Sequence, residues 1–596
     1  MTARFLILAA LLSSACGPAS QPGPMVRGQR GVPQPSAAMV RQATQQFESL
    51  QDAYLEWHYE AHPVRATELG IHRFDGRLME MDATSVQRRI DDVLDWLARL
   101  DRIPALLLEG DTRLDRAVLD YALRAELLSL EEIREWARDP QLYTNEIARG
   151  ISSIADRDYA PVQQRTEALR SRMEAAPLLL TAARQNLRNP PRLWTEQAIQ
   201  NTRGLITYLD RDLQAALSSG DGTVANGFEE ARRALVAALE EHVTWLEREL
   251  LPASDGDFRL GRYLFLRKLL YEEHMDQDLE TLDRLNEEAI AEYAGRVEAV
   301  AREIDPDRSP REIMDSLVRV HPTPEELLPT AREMMQEVRA WVVRSGLVPV
   351  PTDELPIVRE TPPWSRGGFA SMDAPGPFES ADLDAYYNIT NVDPDWTEEQ
   401  KQEHLTYFNY PGLLGVTIHE TFPGHYVQLL FERELSSDLR KVFTPRSFTE
   451  GWAHYTEQMV LDEGFRADDA AVRLGQLRRA LQRHARWFAG LHLHAMDASI
   501  DEVVERFMEI AYFDEFPARR EVIRATYDPT YLYYALGRMQ ILQLRDDYRE
   551  HLEEEEEEFS LREFHERLLE LGLPIPLARE AIIPTEEPEP QPGRRR

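Results

Sequence analysis

Two histidines enclose a glutamate, a proline and a glycine in the segment Val416-Thr417-Ile418-His419-Glu420-Thr421-Phe422-Pro423-Gly424-His425. Paired imidazoles beside a carboxylate can hold a divalent metal and supply a base that activates water. The segment is close to the His-Glu-x-x-His arrangement, in which two histidines one helical turn apart bind zinc and the glutamate is the base. Here the second histidine comes six positions after the first. On a regular helix that offset is about 600°, or about 240° beyond one full turn, so the rings would face different sides. Pro423 and Gly424 offer a repair. Proline deprives the preceding turn of a hydrogen bond, and glycine tolerates the dihedrals needed to reset it. The expectation is a local widening of one helix that returns His425 to the side of His419.

Catalytic zinc usually keeps three protein ligands and one open position for water. Downstream, Phe448-Thr449-Glu450-Gly451-Trp452-Ala453-His454-Tyr455-Thr456-Glu457 carries Glu450, His454 and Glu457 at i, i+4 and i+7 along one helix face. Ser447 or Thr449 is available to cap that helix. Glu450 is the expected third ligand, with His454 as its rival. Glu457 is expected behind the metal, accepting a hydrogen bond from a ligand histidine.

The elements that must position these residues are mostly helices. Residues 40–343 read as helical almost throughout. Leu279, Leu282, Leu285, Ala289, Tyr293, Val297, Val300 and Ile304 recur every three or four positions with charged residues between. Pro161, Pro190, Pro191, Pro306 and Pro322 mark helix ends. Between 346 and 394, seven prolines from Pro349 to Pro377 forbid long helices. Short β-like pieces survive there at 356–359, 368–371 and 386–390, and they predict a small sheet near the metal site. An edge of that sheet could align an extended peptide. Helical patterning resumes over 397–571, and no internal repeat of fixed period is present. The expected division is a helical scaffold over 39–345, a proline-rich segment with strands over 346–394, a helical catalytic region over 395–580 and a disordered tail over 581–596.

Hydrophobic residues make up 43% of the 596 positions, so the chain can bury a sizeable core. The net charge of −36 repels nucleic-acid phosphates and anionic headgroups, which excludes both as general partners. The only cysteine is Cys16. A short positive start, an apolar run over 5–12 and the small residues before Cys16 resemble a bacterial lipoprotein signal over 1–15, cut before a lipidated Cys16. Residues 16–38, rich in Pro, Gly, Gln and Ser, read as lipidated cysteine and tether. The expected location is extracytoplasmic, anchored through that lipid to the outer membrane and facing the periplasm, with no other membrane contact.

The segments 419–425 and 450–457, together with Asp528-Pro529-Thr530-Tyr531-Leu532-Tyr533-Tyr534-Ala535-Leu536-Gly537, resemble the bacterial family known as domain of unknown function 885. The likeness covers nearly the whole mature chain. That family is similar to helical zinc peptidases of the carboxypeptidase Taq and angiotensin-converting-enzyme groups. The resemblance implies a mainly α, zinc-peptidase-like fold with a deep cleft, zinc ligands at His419, His425 and Glu450, and a base at Glu420. Two departures stand out: Tyr426 where many members carry a further histidine, and Ala535 where they often carry lysine. Neither touches the triad.

The expected reaction is zinc-dependent hydrolysis of peptide bonds in short peptides, with Glu420 taking the proton from water. The oxyanion needs a donor besides the metal. His494, which the resemblance favours, and Tyr534 are the candidates, with Tyr533 behind them. Arg486, Arg524 and Arg538 could clamp a substrate carboxylate, but among 65 arginines none is singled out. The alternatives are a zinc amidase acting on a non-peptide or cell-wall amide, and an inactive binding lipoprotein. An intact Glu420 argues against the last.

Overall fold

The three-to-four-residue apolar repeat yields helices over most of the chain in the computed structural model, which describes residues 35–217, 223–362 and 368–583. The signal segment, Cys16, nearly all of the tether and residues 584–596 of the tail lie outside the described residues. The first helix, Ala37–Ala61, starts two residues inside the stretch expected to be tether, because the Ser36 side chain caps it by accepting from the Met39 amide. Among the described residues no helix is long and apolar enough to cross a membrane.

Local signals explain the boundaries that frame the site. Helix Leu279–Ile304 opens on Asp278, whose side chain accepts from the Thr281 amide. It buries Leu279, Leu282, Tyr293 and Val297 from the predicted stripe. Its buried Asn286 pairs with His484 on the long helix Ala470–Ala495, donating to the backbone carbonyl at 3.2 Å. Helix Pro324–Ser345 begins with a reciprocal capping box between Thr323 and Glu326 and ends at Gly346 in the left-handed region.

The proline-rich segment then forms β1 (Ile357–Glu360), β2 (Ala370–Asp373) and β3 (Tyr386–Ile389), in the order β1-β3-β2. β3 runs parallel to β1 and antiparallel to β2, with Tyr387 opposite Val358 and Met372. The expected strands sit within two residues of the observed ones. The sheet lies against helix Tyr410–Glu420: the buried Tyr387 and Thr417 hydroxyls are 3.1 Å apart, two residues before His419. From Gly412 to Glu420 every residue of that helix is buried.

Helices Arg446–Asp462 and Tyr533–Glu554 cross at two glycines. A Cβ on Gly451 would come within 2.6 Å of the Gly537 backbone, and one on Gly537 would overlap the Ser447 carbonyl oxygen. Only residues without side chains permit this approach, and it sets Glu450 and Tyr534 on facing turns. Gly537→Ala is therefore expected to push the helices apart, costing about 3 kcal/mol and lowering the apparent melting temperature. A variant that melts with the wild type would show that the backbones do not meet there.

Candidate metal centre

The widened helix expected between the two histidines is replaced by a break. Helix Tyr410–Glu420 ends at Glu420, residues 421–424 are non-helical, and a new helix, His425–Glu434, opens on the second histidine. Thr421 has φ −111° and ψ −92°, and the Phe422–Pro423 peptide is cis. Gly424 is pressed so closely on the preceding turn that a Cβ would fall on the His419 carbonyl oxygen. The physical reason is the pairing of a residue with no amide hydrogen and one with no side chain, which lets the chain fold back on its own carbonyl end. Side chains brace the break. The Thr421 hydroxyl donates to the Thr417 carbonyl at 2.6 Å, beside the Thr421 amide at 2.9 Å, and the Trp452 indole donates to the Pro423 carbonyl at 2.9 Å. The result brings the His425 ring to 4.7 Å from the His419 ring, nearly perpendicular to it.

Glu450 faces both rings. Its Oε2 is 3.3 Å from His419 Nε2 and 3.4 Å from His425 Nε2. Two ligand atoms each about 2.0–2.1 Å from a tetrahedral zinc stand about 3.3–3.4 Å apart. The spacings therefore suit two edges of such a tetrahedron, and one ligand atom from each of the three residues lies within 4.8 Å of the others. The residues present fit a zinc ion. His454 does not join them: its ring is buried with Nδ1 3.7 Å from Glu457, and burial lowers its pKa to about 4. It is a neutral core ring one turn beyond Glu450.

Behind His419 stands Glu457, fully buried. Its Oε1 lies 2.8 Å from His419 Nδ1. Arg479 donates to both carboxylate oxygens at 2.8 and 3.1 Å, and Arg483 adds a bond at 2.9 Å. Burial alone would raise the Glu457 pKa, but the two guanidiniums and the imidazole hold it well below the usual carboxylate range. An ionised acceptor at Nδ1 selects the tautomer in which His419 donates there, leaving the Nε2 lone pair facing Glu450. Burial opposes the charge of Glu450, and positive charge on the side of the two rings, the place a metal ion would take, outweighs that and lowers its pKa well below normal. The set is built to attract a cation.

Glu420 is buried as the last residue of its helix, and its charge acts on His425. The Tyr534 ring lies 6.4 Å from that of His419. Burial, then the charge of Glu450, raises the Tyr534 pKa and keeps its hydroxyl a donor. Tyr533 turns away, its hydroxyl bonded to Asp528 and Arg446.

His494 takes a backbone partner. Its Nε2 is 2.8 Å from the Ala525 carbonyl, and its ring packs edge-on against Phe258. It lies eleven residues beyond Arg483 on the same helix, about 16 Å along the axis. Arg538 is likewise buried against Gln458 and His484. Arg486 is held bidentately by Glu521, at 2.9 Å for each bond. Arg524 is partly exposed, 3.6 Å from Asp528. Sequence reasoning missed Arg479, Arg483 and Trp452. Arginines at i and i+4 in a long helix, Arg479 and Arg483, were the available signal for the first two.

Comparison with known proteins adds the following. A profile of the family described as bacterial protein of unknown function (DUF885) matches residues 63–582. No curated protein matches. A solved structure from Shewanella oneidensis, a candidate lipoprotein of unknown function, is similar with TM-score 0.75 and 23% identity, covering 90% of this chain and 99% of its own. A candidate lipoprotein from Colwellia psychrerythraea is similar with TM-score 0.73 and 16% identity, covering 91% and 98%. At these identities the likeness is one of fold.

Proposed function

The chain belongs to the family of bacterial proteins of unknown function DUF885, and from that premise we propose that it is a zinc-dependent hydrolase cleaving peptide bonds in short peptides. The observation that carries this reading is the triangle of His419 Nε2, His425 Nε2 and Glu450 Oε2, with its 3.3 and 3.4 Å edges, beside Glu420. Zinc bound there would polarise a carbonyl and bring the pKa of water towards neutrality. Glu420 takes the proton of the attacking water and returns it to the leaving amine. Tyr534 donates its hydroxyl hydrogen to the oxyanion. Glu457, by its bond to Nδ1, holds the His419 ring and acts as a positioning residue.

Restricted access favours short substrates. The side chains of His419, His425 and Glu450 are only 6, 16 and 20% exposed, too recessed for the backbone of a folded protein. Arg446 and Arg524, both partly exposed and acting electrostatically on Tyr534, are suited to the free carboxylate of a short peptide. We place the enzyme outside the cytoplasm, anchored through Cys16 to the outer membrane on its periplasmic side. The description of two similar structures as candidate lipoproteins supports this.

The test is metal content by mass spectrometry together with cleavage of an oligopeptide library. His419→Ala and Glu450→Ala are each expected to lose one zinc per chain relative to wild type, and all cleavage with it. Folded variants that keep the wild-type metal content would overturn the assignment. Cleavage of non-peptide amides alone would turn it into the amidase.

A further inference from the structure

A second group of metal-binding side chains lies away from this site, in the amino-terminal helices. His58 and His62 are one turn apart at the end of helix Ala37–Ala61, so their rings share a face, 4.5 Å between centroids. Glu126 reaches them from helix Gly110–Leu127, with Oε1 3.1 Å from His62 Nε2. One ligand atom from each residue lies within 4.8 Å of the others, as in the first triangle. We infer that His58, His62 and Glu126 bind a second divalent cation of the zinc, cobalt or nickel class, which ties the first helix to helix Gly110–Leu127.

Two orphaned atoms carry the inference beyond proximity. His58 is only 7% exposed, and its Nδ1 is buried without a partner. Tyr54, one turn earlier on the same face and 1% exposed, has a buried hydroxyl that is also unpartnered. Both orphans stand beside a His-His-Glu set, the donor types that a divalent cation takes. A cation with a water at its fourth position would satisfy them, and imidazole with carboxylate suits this class of metal.

Two arginines, Arg65 and Arg89, stand near the three side chains. Neither arginine closes the site: Arg89 bonds to Met79 and the Glu80 carbonyl, and Arg65 lies 3.7 Å from Glu68. Phe443 covers the His58 ring edge-on at 4.9 Å. The position after His58, where the first site has its base, is Tyr59, and Glu60 turns outward to Arg77 at 2.9 Å. The cluster thus has ligands without a water-activating carboxylate, which fits a structural cross-link and not a second reaction centre.

The test is cobalt titration of the full chain, read by equilibrium dialysis, visible absorption and thermal melting. In the His419→Ala background, which removes the first site, one cobalt per chain is expected to remain. It should carry the strong d–d bands of low coordination number, and saturating metal should raise the melting temperature by several degrees. His419→Ala/His62→Ala should bind none and melt the same with or without metal. If that chain does not fold, His419→Ala/Glu126→Gln, nearly isosteric, takes its place. A folded His419→Ala protein that binds no more metal than the double variant would overturn the inference. Metal lost on His62→Ala but unaffected by His419→Ala would support this second site while removing the proposed hydrolase, so the two failures are distinguishable.

Discussion

Glu420→Gln is expected to bind zinc as the wild type does and to lose peptide cleavage by roughly 10²–10⁴-fold, the contribution of a positioned general base. Glutamine keeps the shape and burial of the side chain at the end of helix Tyr410–Glu420, so the three ligand atoms remain where they are. What it lacks is the capacity to accept a proton from water. The loss should fall on kcat, because the proton transfer belongs to the transition state and not to substrate binding. Single-turnover kinetics on a peptide from the library, with metal content measured in parallel, separates this from metal loss. A variant with full metal and undiminished kcat would remove Glu420 from the reaction.

Glu457→Ala should cost more stability than any other single change in the site. The carboxylate accepts three bonds from Arg479 and Arg483 and one from His419, all buried. Deleting it leaves two guanidiniums without a counter-charge in the core, and breaking a buried ion pair from one side costs about 3–5 kcal/mol. It also frees the His419 ring to turn or to change tautomer, which typically weakens metal affinity about 10–100-fold. The paired expectation is a large fall in melting temperature together with a weaker zinc dissociation constant measured by chelator competition. Glu457→Gln keeps an acceptor for Nδ1 but not the charge, so it should recover more metal affinity than stability. Unchanged melting in the alanine variant would mean that the two arginines are not buried against this carboxylate.

The proximity of His419, His425 and Glu450 was legible because each lies in a short segment whose composition needs a reason. Pro423 and Gly424 between two histidines announced an interruption, but its form depends on backbone contacts with the preceding turn, which residue types alone do not specify. Glu457 was legible through its seven-residue offset from Glu450. Its partners were not, because Arg479 and Arg483 lie more than twenty positions away and meet it only when helix Ala470–Ala495 is laid across the site. The partner of His494 was hidden for a related reason. A helix histidine carries no local mark of which distant carbonyl its ring will meet, and here that is Ala525. The mainly helical class and the three strands followed from periodicity and proline placement, which act over a few residues. The crossing at Gly451 and Gly537 did not, since a glycine in a helix gives no sign of which backbone it admits.

His419 is held at Nδ1 by Glu457, and Glu450 of the same helix stands 3.3 Å from its Nε2. The ring therefore keeps its orientation whether or not an ion is present, as if in a socket machined before the part arrives. Loading such a socket demands no refolding, so little ordering cost opposes binding and the affinity for the ion should be high.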